Sequence, residues 1–259
     1  MTTLIRFFLS LFGLAIRKPA KLGEAWTGYG PVNRWHDINA GWIGKLARNG
    51  IKVAHIEFWG WARYAKWDDF ETLEKRYREL VRACRMYGVT LFVSYTNDNT
   101  GSGKYGDARV PLSRYLADGH IDWGIHLIKK VGKSFVWIQP VGETQTAAGR
   151  AIEEKCMREL AGFPMIYNGG SRPTTCPPSW AGFAFHPMNT GQSIPANAIV
   201  VTDTSPILIE LQGDLMGSHA STDILSAYGK DMNNNGNAVI HYGFWHPEAD
   251  DNSIKALKR

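Results

Sequence analysis

The chain has 259 residues, of which 44% are hydrophobic and 20% charged, so it can bury the core of one large domain and lacks the composition of a disordered protein. Its formal charge of +5 is spread along the sequence apart from basic runs at residues 17–18 and 255–259, which argues against nucleic acid as a partner. The three cysteines are widely spaced and form neither a disulfide framework nor a zinc signature.

The first residues predict an amphipathic helix over residues 1–18. The apolar run at 3–16 is too short to span a membrane, and Arg17-Lys18-Pro19 follows where a signal peptide needs small residues for cleavage. Such a helix could lie on one of three surfaces. These are a membrane interface, a protein partner contacted through residues 3–17, and one end of the chain's own domain. The residues that share its narrow polar face, three or four positions apart, are Thr3, Arg6, Ser10, Gly13 and Arg17.

After Pro19, short apolar or aromatic runs alternate with helical patterns. This alternation predicts parallel strands joined by helices, because a parallel crossover needs a helix to return the chain. The predicted strands cover residues 25–29, 52–59, 90–95, 135–141, 164–167, 182–186, 198–203 and 238–244. The predicted helices cover residues 38–48, 70–86, 121–131, 147–160 and, in the less regular second half, 214–228.

Eight strands in this order predict a single (β/α)₈ barrel over residues 22–259, an α/β fold, with the N-terminal amphipathic helix as an addition. A doubly wound sheet is the alternative, but no glycine-rich phosphate loop supports it. In a barrel, functional groups collect where the strands end. The polar and aromatic residues at these positions are therefore the candidates for the site.

Three carboxylates are candidates for catalysis. Glu143 directly follows the predicted fourth strand, Asp203 ends the predicted seventh strand, and Glu57 lies near the end of the second. The structural alternatives are a helix cap or first-turn acid for Glu143 and an Asx turn or helix cap for Asp203. The predicted substrate-binding residues at the same strand ends are Trp59, Trp61, Tyr95, Asn97, Asp98, Gln139, Asn168, His186, His241 and Trp245.

This arrangement resembles the clan A glycoside hydrolases, barrels in which an acid/base carboxylate ends the fourth strand and the nucleophile ends the seventh. Glu143 matches the first position, and Ile199-Val-Val-Thr-Asp203 is similar to the second. Gly243-Phe-Trp245 resembles the aromatic residue beneath the sugar, and Glu57-Phe-Trp59-Gly-Trp61 resembles the second-strand turn.

The chain departs from the pattern at Gly142, where those families have Asn, and in using Asp as the nucleophile. Because the Asp side chain is shorter, the reaction could retain or invert the anomeric configuration of the sugar. Glu57 is an alternative carboxylate partner of Glu143.

The resemblance implies a glycoside hydrolase that cleaves a polysaccharide, such as a cell-wall or capsular glycan, with two carboxylates at the barrel mouth. The two departures favour an alternative, an inactive barrel that binds carbohydrate or serves in the assembly of an envelope or virus particle. A metal-dependent hydrolase is a further alternative, but the histidines lack a close-spaced ligand pattern. We predict no metal and no cofactor, and a location at the cell envelope, outside the cell or in a virus particle.

Overall fold

The computed structural model describes residues 17–21, 27–31, 38–57, 70–97, 119–142, 144, 146–168, 179–185, 207–212 and 238–243. Residues 17–21 have no regular secondary structure. The rest of the predicted N-terminal helix and the predicted helix at 214–228 lie outside the described residues.

Eight strands lie within the described residues, and seven of them overlap predicted strands. The predicted strand at residues 198–203 lies outside the described residues and stays a prediction, and the strand between β6 and β8 in the sheet begins at Ile207, beyond that range. The strands are β1 (Thr27–Pro31), β2 (Val53–Glu57), β3 (Thr90–Asn97), β4 (Val136–Gly142), β5 (Ile166–Asn168), β6 (Gly182–Phe185), β7 (Ile207–Gln212) and β8 (Ala238–Gly243).

All strands pair in parallel in the order β4-β3-β2-β1-β8-β7-β6-β5. The edge strands β4 and β5 also approach each other. A parallel bridge joins Ile138 of β4 to Met165, the residue before β5, and the Ile138 N–H donates to the carbonyl of Pro164 at 3.0 Å. The two edges of the sheet are therefore brought together, as they are in an α/β barrel.

Four helices within the described residues connect successive strands from β1 to β5. They are α1 (Ala40–Arg48), α2 (Phe70–Tyr87), α3 (His120–Val131) and α4 (Ala147–Glu159). Asn39 and Thr146 cap α1 and α4, since each side chain accepts a backbone N–H hydrogen bond of 3.1 Å from the first turn. No helix in the described part of the chain is long and apolar enough to cross a bilayer.

The main core lies between the sheet and these helices. Val93 and Tyr95 of β3 belong to it together with residues such as Tyr77 and Leu80 of α2. Successive strand residues point to opposite faces, so Ser94, which is also buried, lies on the other face of β3. The sheet is thus buried on both faces, and the face away from the helices leads toward the strand ends where the candidate site lies.

Candidate functional site

The structure places the two neighbours of Glu143, whereas Glu143 itself lies outside the described residues. Gly142 before it is buried and ends β4. The Thr144 N–H after it donates to the carbonyl of Asn168, the last residue of β5, at 3.3 Å. Gly142 and Thr144 therefore lie where the C-terminal ends of β4 and β5 meet, the end at which α/β barrels carry their functional groups.

Helix α4 does not use Glu143 as its cap. Thr146 occupies the N-cap position and accepts from the Gly149 N–H at 3.1 Å, and the first turn contains no acidic residue. The Thr144 hydroxyl donates to Oε1 of Glu153, farther along the same helix. The helix-cap and first-turn alternatives for Glu143 are therefore removed.

Buried polar side chains lie on the strands β2 to β5. Nε2 of His55 lies 2.7 Å from Oγ of Ser94, and the His55 ring packs against Phe92 with centroids 4.9 Å apart. Gln139 pairs in register with Ser94 and is 3% exposed, and its Oε1 has no hydrogen-bond partner among the described residues. Asn168 is fully buried at the end of β5. An unsatisfied buried amide oxygen is uncommon in proteins and can accept a hydrogen bond from a ligand hydroxyl or water.

Tyr95 differs from its prediction as a substrate-binding residue. Its ring lies in the core between the sheet and the helices, where it contacts the backbone of α3 at Gly124. The alternation of side chains along β3 accounts for this placement, because it directs Tyr95 and Ser94 to opposite faces. Tyr95 is therefore a packing residue on the helix side of the sheet.

For other predicted site residues, the structure gives the backbone position only. Glu57 ends β2 and pairs with Ser94, Asn97 ends β3 and pairs with Gly142, and His241 lies in β8. Those that lie outside the described residues, in addition to Glu143, are Trp59, Trp61, Asp98, His186, Asp203 and Trp245.

The expectation that Asp203 ends the seventh strand stays a prediction, because Asp203 lies outside the described residues. The described strand β7 begins at Ile207, four residues after it in the sequence. The carboxylate that β7 does contain is Glu210, which pairs in register with Ile240 of β8 and was missed in the sequence. The signal that could have revealed it is the run Ile207-Leu-Ile-Glu-Leu-Gln212, in which one acidic residue interrupts an apolar strand pattern.

Burial favours the neutral forms of the two described thiols and of Tyr167 in β5. Burial raises the pKa of Cys84 and of Cys156 well above the usual range, which makes both thiols poor nucleophiles. Partial burial also raises the pKa of Tyr167, and the nearby Glu153 raises it further. Within the described residues, no group of three or more His, Cys, Asp or Glu side chains is placed to hold a metal ion.

No protein-family model matches the sequence, and no curated protein matches it. The chain is, however, similar in structure to cellulose synthase subunit Z (CcsZ) from Clostridioides difficile, with a TM-score of 0.57, 10% identity and coverage of 92% of this chain and 100% of that one. It is also similar to a GH5 family lichenase from Caldicellulosiruptor sp. F32, with a TM-score of 0.56, 7% identity and coverage of 93% of this chain and 97% of that one. A third similar structure is DHDPS from Cyanidioschyzon merolae with lysine bound, with a TM-score of 0.52, 10% identity and coverage of 92% of this chain and 74% of that one.

These similarities show the kind of fold, an α/β barrel. The neighbours include GH5 proteins, so the barrel is of a kind that glycoside hydrolases use. They also include DHDPS, and one barrel fold supports many chemistries. The reaction must therefore be argued from the residues at the strand ends.

Proposed function

We propose that the chain is a glycoside hydrolase that cleaves a polysaccharide at the C-terminal mouth of a (β/α)₈ barrel, with Glu143 as the general acid. The observation that carries this proposal is the position of Glu143 between Gly142, which ends β4, and Thr144, which is bonded to the end of β5. Because Thr146 caps α4, the helix does not require a carboxylate at position 143. The GH5 neighbours support the same class of reaction.

Glycoside hydrolysis needs a second carboxylate, and we assign it to Glu210 of β7 rather than to Asp203. Glu210 lies within the seventh strand, whereas Asp203 precedes that strand. A protonated Glu143 gives its proton to the glycosidic oxygen, and an ionised Glu210 attacks the anomeric carbon or activates a water. Carboxyls about 5–5.5 Å apart retain the anomeric configuration and a gap of about 6.5–9.5 Å inverts it. Glu57, at the end of β2, is the alternative partner.

Gln139, Ser94 and His55 support sugar as the ligand. They are buried on adjacent strands, and the Oε1 atom of Gln139 has no partner within the described residues. Sugar hydroxyls can donate to such an acceptor, and an unpaired buried acceptor strongly penalises a ligand without a matching donor. The aromatic residues expected around the mouth, Trp59 and Trp245, would supply stacking surface for the rings.

The test is hydrolysis of a panel of polysaccharides, including peptidoglycan, cellulose and lichenan, by the wild type and by Glu143→Gln and Glu210→Gln. Glu154→Gln on the exposed side of α4 is the matched control for the loss of one carboxylate. We expect both site variants to lose at least about a hundredfold in activity at unchanged thermal stability, because general acid–base catalysis contributes about 10²–10⁴-fold. Full activity in a folded Glu143→Gln protein would disprove the assignment.

Gly142 favours a second candidate, a barrel that binds carbohydrate without cleaving it. The residue before Glu143 has no side chain, whereas the resemblance leads us to expect Asn there. The same panel separates the two functions. Binding of a glycan by the wild type with no release of reducing ends would favour the binding protein, and the anomeric configuration of any released product would identify the mechanism.

A further inference from the structure

The end of the sheet at which the strands begin is built from segments that contact one another. The Arg17 guanidinium donates to the carbonyl of Tyr87 at 3.3 Å, and the Ala20 N–H donates to Oγ1 of Thr90 at 3.0 Å. The Thr90 N–H donates to the carbonyl of Lys52 at 2.8 Å. On the other side, the Arg85 guanidinium donates to the carbonyl of Val131 at 3.1 Å. Residues 17–21, 48–52, 85–90 and 130–135 therefore share one surface, which we call the basic face.

The basic face carries charge of one sign. Its four segments contain eight lysines and arginines and no Asp or Glu, although the whole chain has 29 basic and 24 acidic residues. All eight basic side chains belong to residues that are exposed in the structure, and Lys130 forms an ion pair of 2.8 Å with Glu74 of α2, which lies outside the four segments. They are Arg17, Lys18, Lys21, Arg48, Lys52, Arg85, Lys130 and Lys133.

Helix stability explains only part of this charge. Arg48, Arg85 and Lys130 lie in the last turns of α1, α2 and α3, where a cation interacts favourably with the helix dipole. Lys18, Lys52 and Lys133 lie outside the helices, in the segments that lead into β1, β2 and β4. Their common placement points to an external anionic partner.

The apolar residues around the basic face indicate a lipid surface. Met86, 57% exposed, is the large hydrophobic residue that the described part of the chain leaves most open to solvent, and it follows Arg85. The apolar sequence 3–16 enters the described structure through Arg17, on this same face. Basic side chains next to an exposed Met86, in a face whose chain is preceded by an apolar sequence, fit the boundary between lipid headgroups and acyl chains better than the phosphates of a nucleic acid.

We infer that the basic face docks on an anionic membrane surface. Residue 143 follows the opposite ends of the strands, because β4 runs from Val136 to Gly142 away from this face. The barrel mouth then faces away from the lipid. The inference rests on the described contacts and the sequence, and it is independent of the proposed hydrolysis.

The test is sedimentation of the full chain with phosphatidylcholine vesicles that contain or lack phosphatidylglycerol. Lys52→Glu/Lys133→Glu reverses two charges on the basic face. Lys75→Glu/Arg150→Glu makes the same change in net charge on exposed positions of α2 and α4. Lys52→Gln/Lys133→Gln removes the charges without adding acids, and a chain lacking residues 1–16 tests the apolar segment. Unchanged thermal unfolding shows that each variant is folded.

We expect the wild type to bind the anionic vesicles more tightly than the neutral ones, and less tightly as salt is raised. A basic residue near an anionic surface contributes about fivefold in partitioning, so the double Glu variant should lose at least about tenfold and the Gln variant somewhat less. The α2/α4 control should retain most of its binding, and the truncated chain should bind more weakly. Equal binding to both vesicles, binding to neither, or equal losses in the basic-face and control variants would overturn the inference.

Discussion

The Thr144 hydroxyl donates a hydrogen bond to the buried carboxylate of Glu153, and the Thr144 N–H donates to the carbonyl of Asn168. Thr144 is thereby tied to both α4 and β5. Because Glu143 is the preceding residue, these two bonds restrict the backbone that carries the proposed general acid. Thr144 is a positioning residue in this arrangement, since it acts through its neighbour.

Thr144→Val should lower kcat with little change in KM, since the side chain that holds the turn is lost while the substrate-contacting groups remain. The free energy of unfolding should fall by about 1–3 kcal/mol, because Glu153 loses a buried hydrogen bond. Steady-state kinetics and urea unfolding measure the two effects, and Thr144→Ser, which keeps the hydroxyl, should restore most of kcat.

The control for this prediction is Asn39→Ala, which removes the cap of α1 and should cost about 1 kcal/mol of stability. Asn39 lies outside the connection between β4 and α4, so kcat should be unchanged. If Asn39→Ala lowers kcat as much as Thr144→Val does, the effect is one of general stability and the positioning role is wrong.

Gly124 of α3 packs directly against the ring of Tyr95, so that a Cβ atom at position 124 would overlap the ring. Gly124→Ala should therefore destabilise the protein. Overpacking a buried site costs about 1–3 kcal/mol, and this exceeds the roughly 1 kcal/mol that alanine gains over glycine in helix propensity. Urea unfolding measures the net loss. In a Tyr95→Leu background, from which the ring is absent, the same substitution should be neutral or stabilising, and an equal cost in both backgrounds would contradict this explanation.

The sequence predicts the first half of this fold well because its helices carry both a periodic apolar face and clear ends. In α2, Leu73, Tyr77, Leu80 and Cys84 recur at helical spacing and are all buried, and Gly88 follows the helix with a φ of 70°. These signals depend on neighbouring residues only. For this reason all four described helices were predicted within about two residues of their ends.

The errors concern information that local patterns do not contain. Two short apolar runs, at residues 198–203 and 207–212, both suit a strand. The pairing with β6 and β8 identifies the second run as β7, and the first lies outside the described residues. Tyr95 is expected at the mouth because it ends the predicted third strand. Because β3 is buried on both faces, its sequence Thr90-Leu-Phe-Val-Ser-Tyr has no polar face to mark which residues point inward. Glu143 was identified because it follows a strand and precedes a helix, although its role is still a proposal.

The hydrogen bond between His55 and Ser94 links β2 to β3 on the face away from the helices. Ser94→Ala should lower the free energy of unfolding by about 1–3 kcal/mol, because the buried Nε2 of His55 loses this partner. Ser134→Ala, at an exposed position before β4, is the matched control and should change stability by less than about 0.5 kcal/mol. Similar stabilities for the two variants in chemical denaturation would show that the His55 contact contributes little.

Lys155 of α4 joins this helix to α3. Its Nζ lies 2.6 Å from Oδ1 of Asp122 and 3.1 Å from Oε1 of Glu159. The pKa of Lys155 is raised above 10.5, mainly by its hydrogen bond to Asp122 and next by its hydrogen bond to Glu159. The pKa of Glu159 is lowered below 4.5, mainly by the hydrogen bond from Lys155. Both shifts mean that the charged forms are favoured more in the folded chain than in the unfolded one.

The stability that Lys155 confers should therefore depend on pH at both extremes. The contribution of Glu159 is complete above its unfolded pKa near 4.5 and is lost as the pH falls through the lower folded value. The contribution of Lys155 is complete below 10.5 and is lost as the pH rises through the higher folded value. Lys155→Met should thus lower Tm most at neutral pH, and the difference from wild type should shrink toward both acid and alkali and at high salt.

Lys75→Met, at an exposed position of α2, should show little difference throughout. A Tm difference for Lys155→Met that stays constant with pH would mean that lost packing of the lysine stem, rather than its charge, causes the destabilisation.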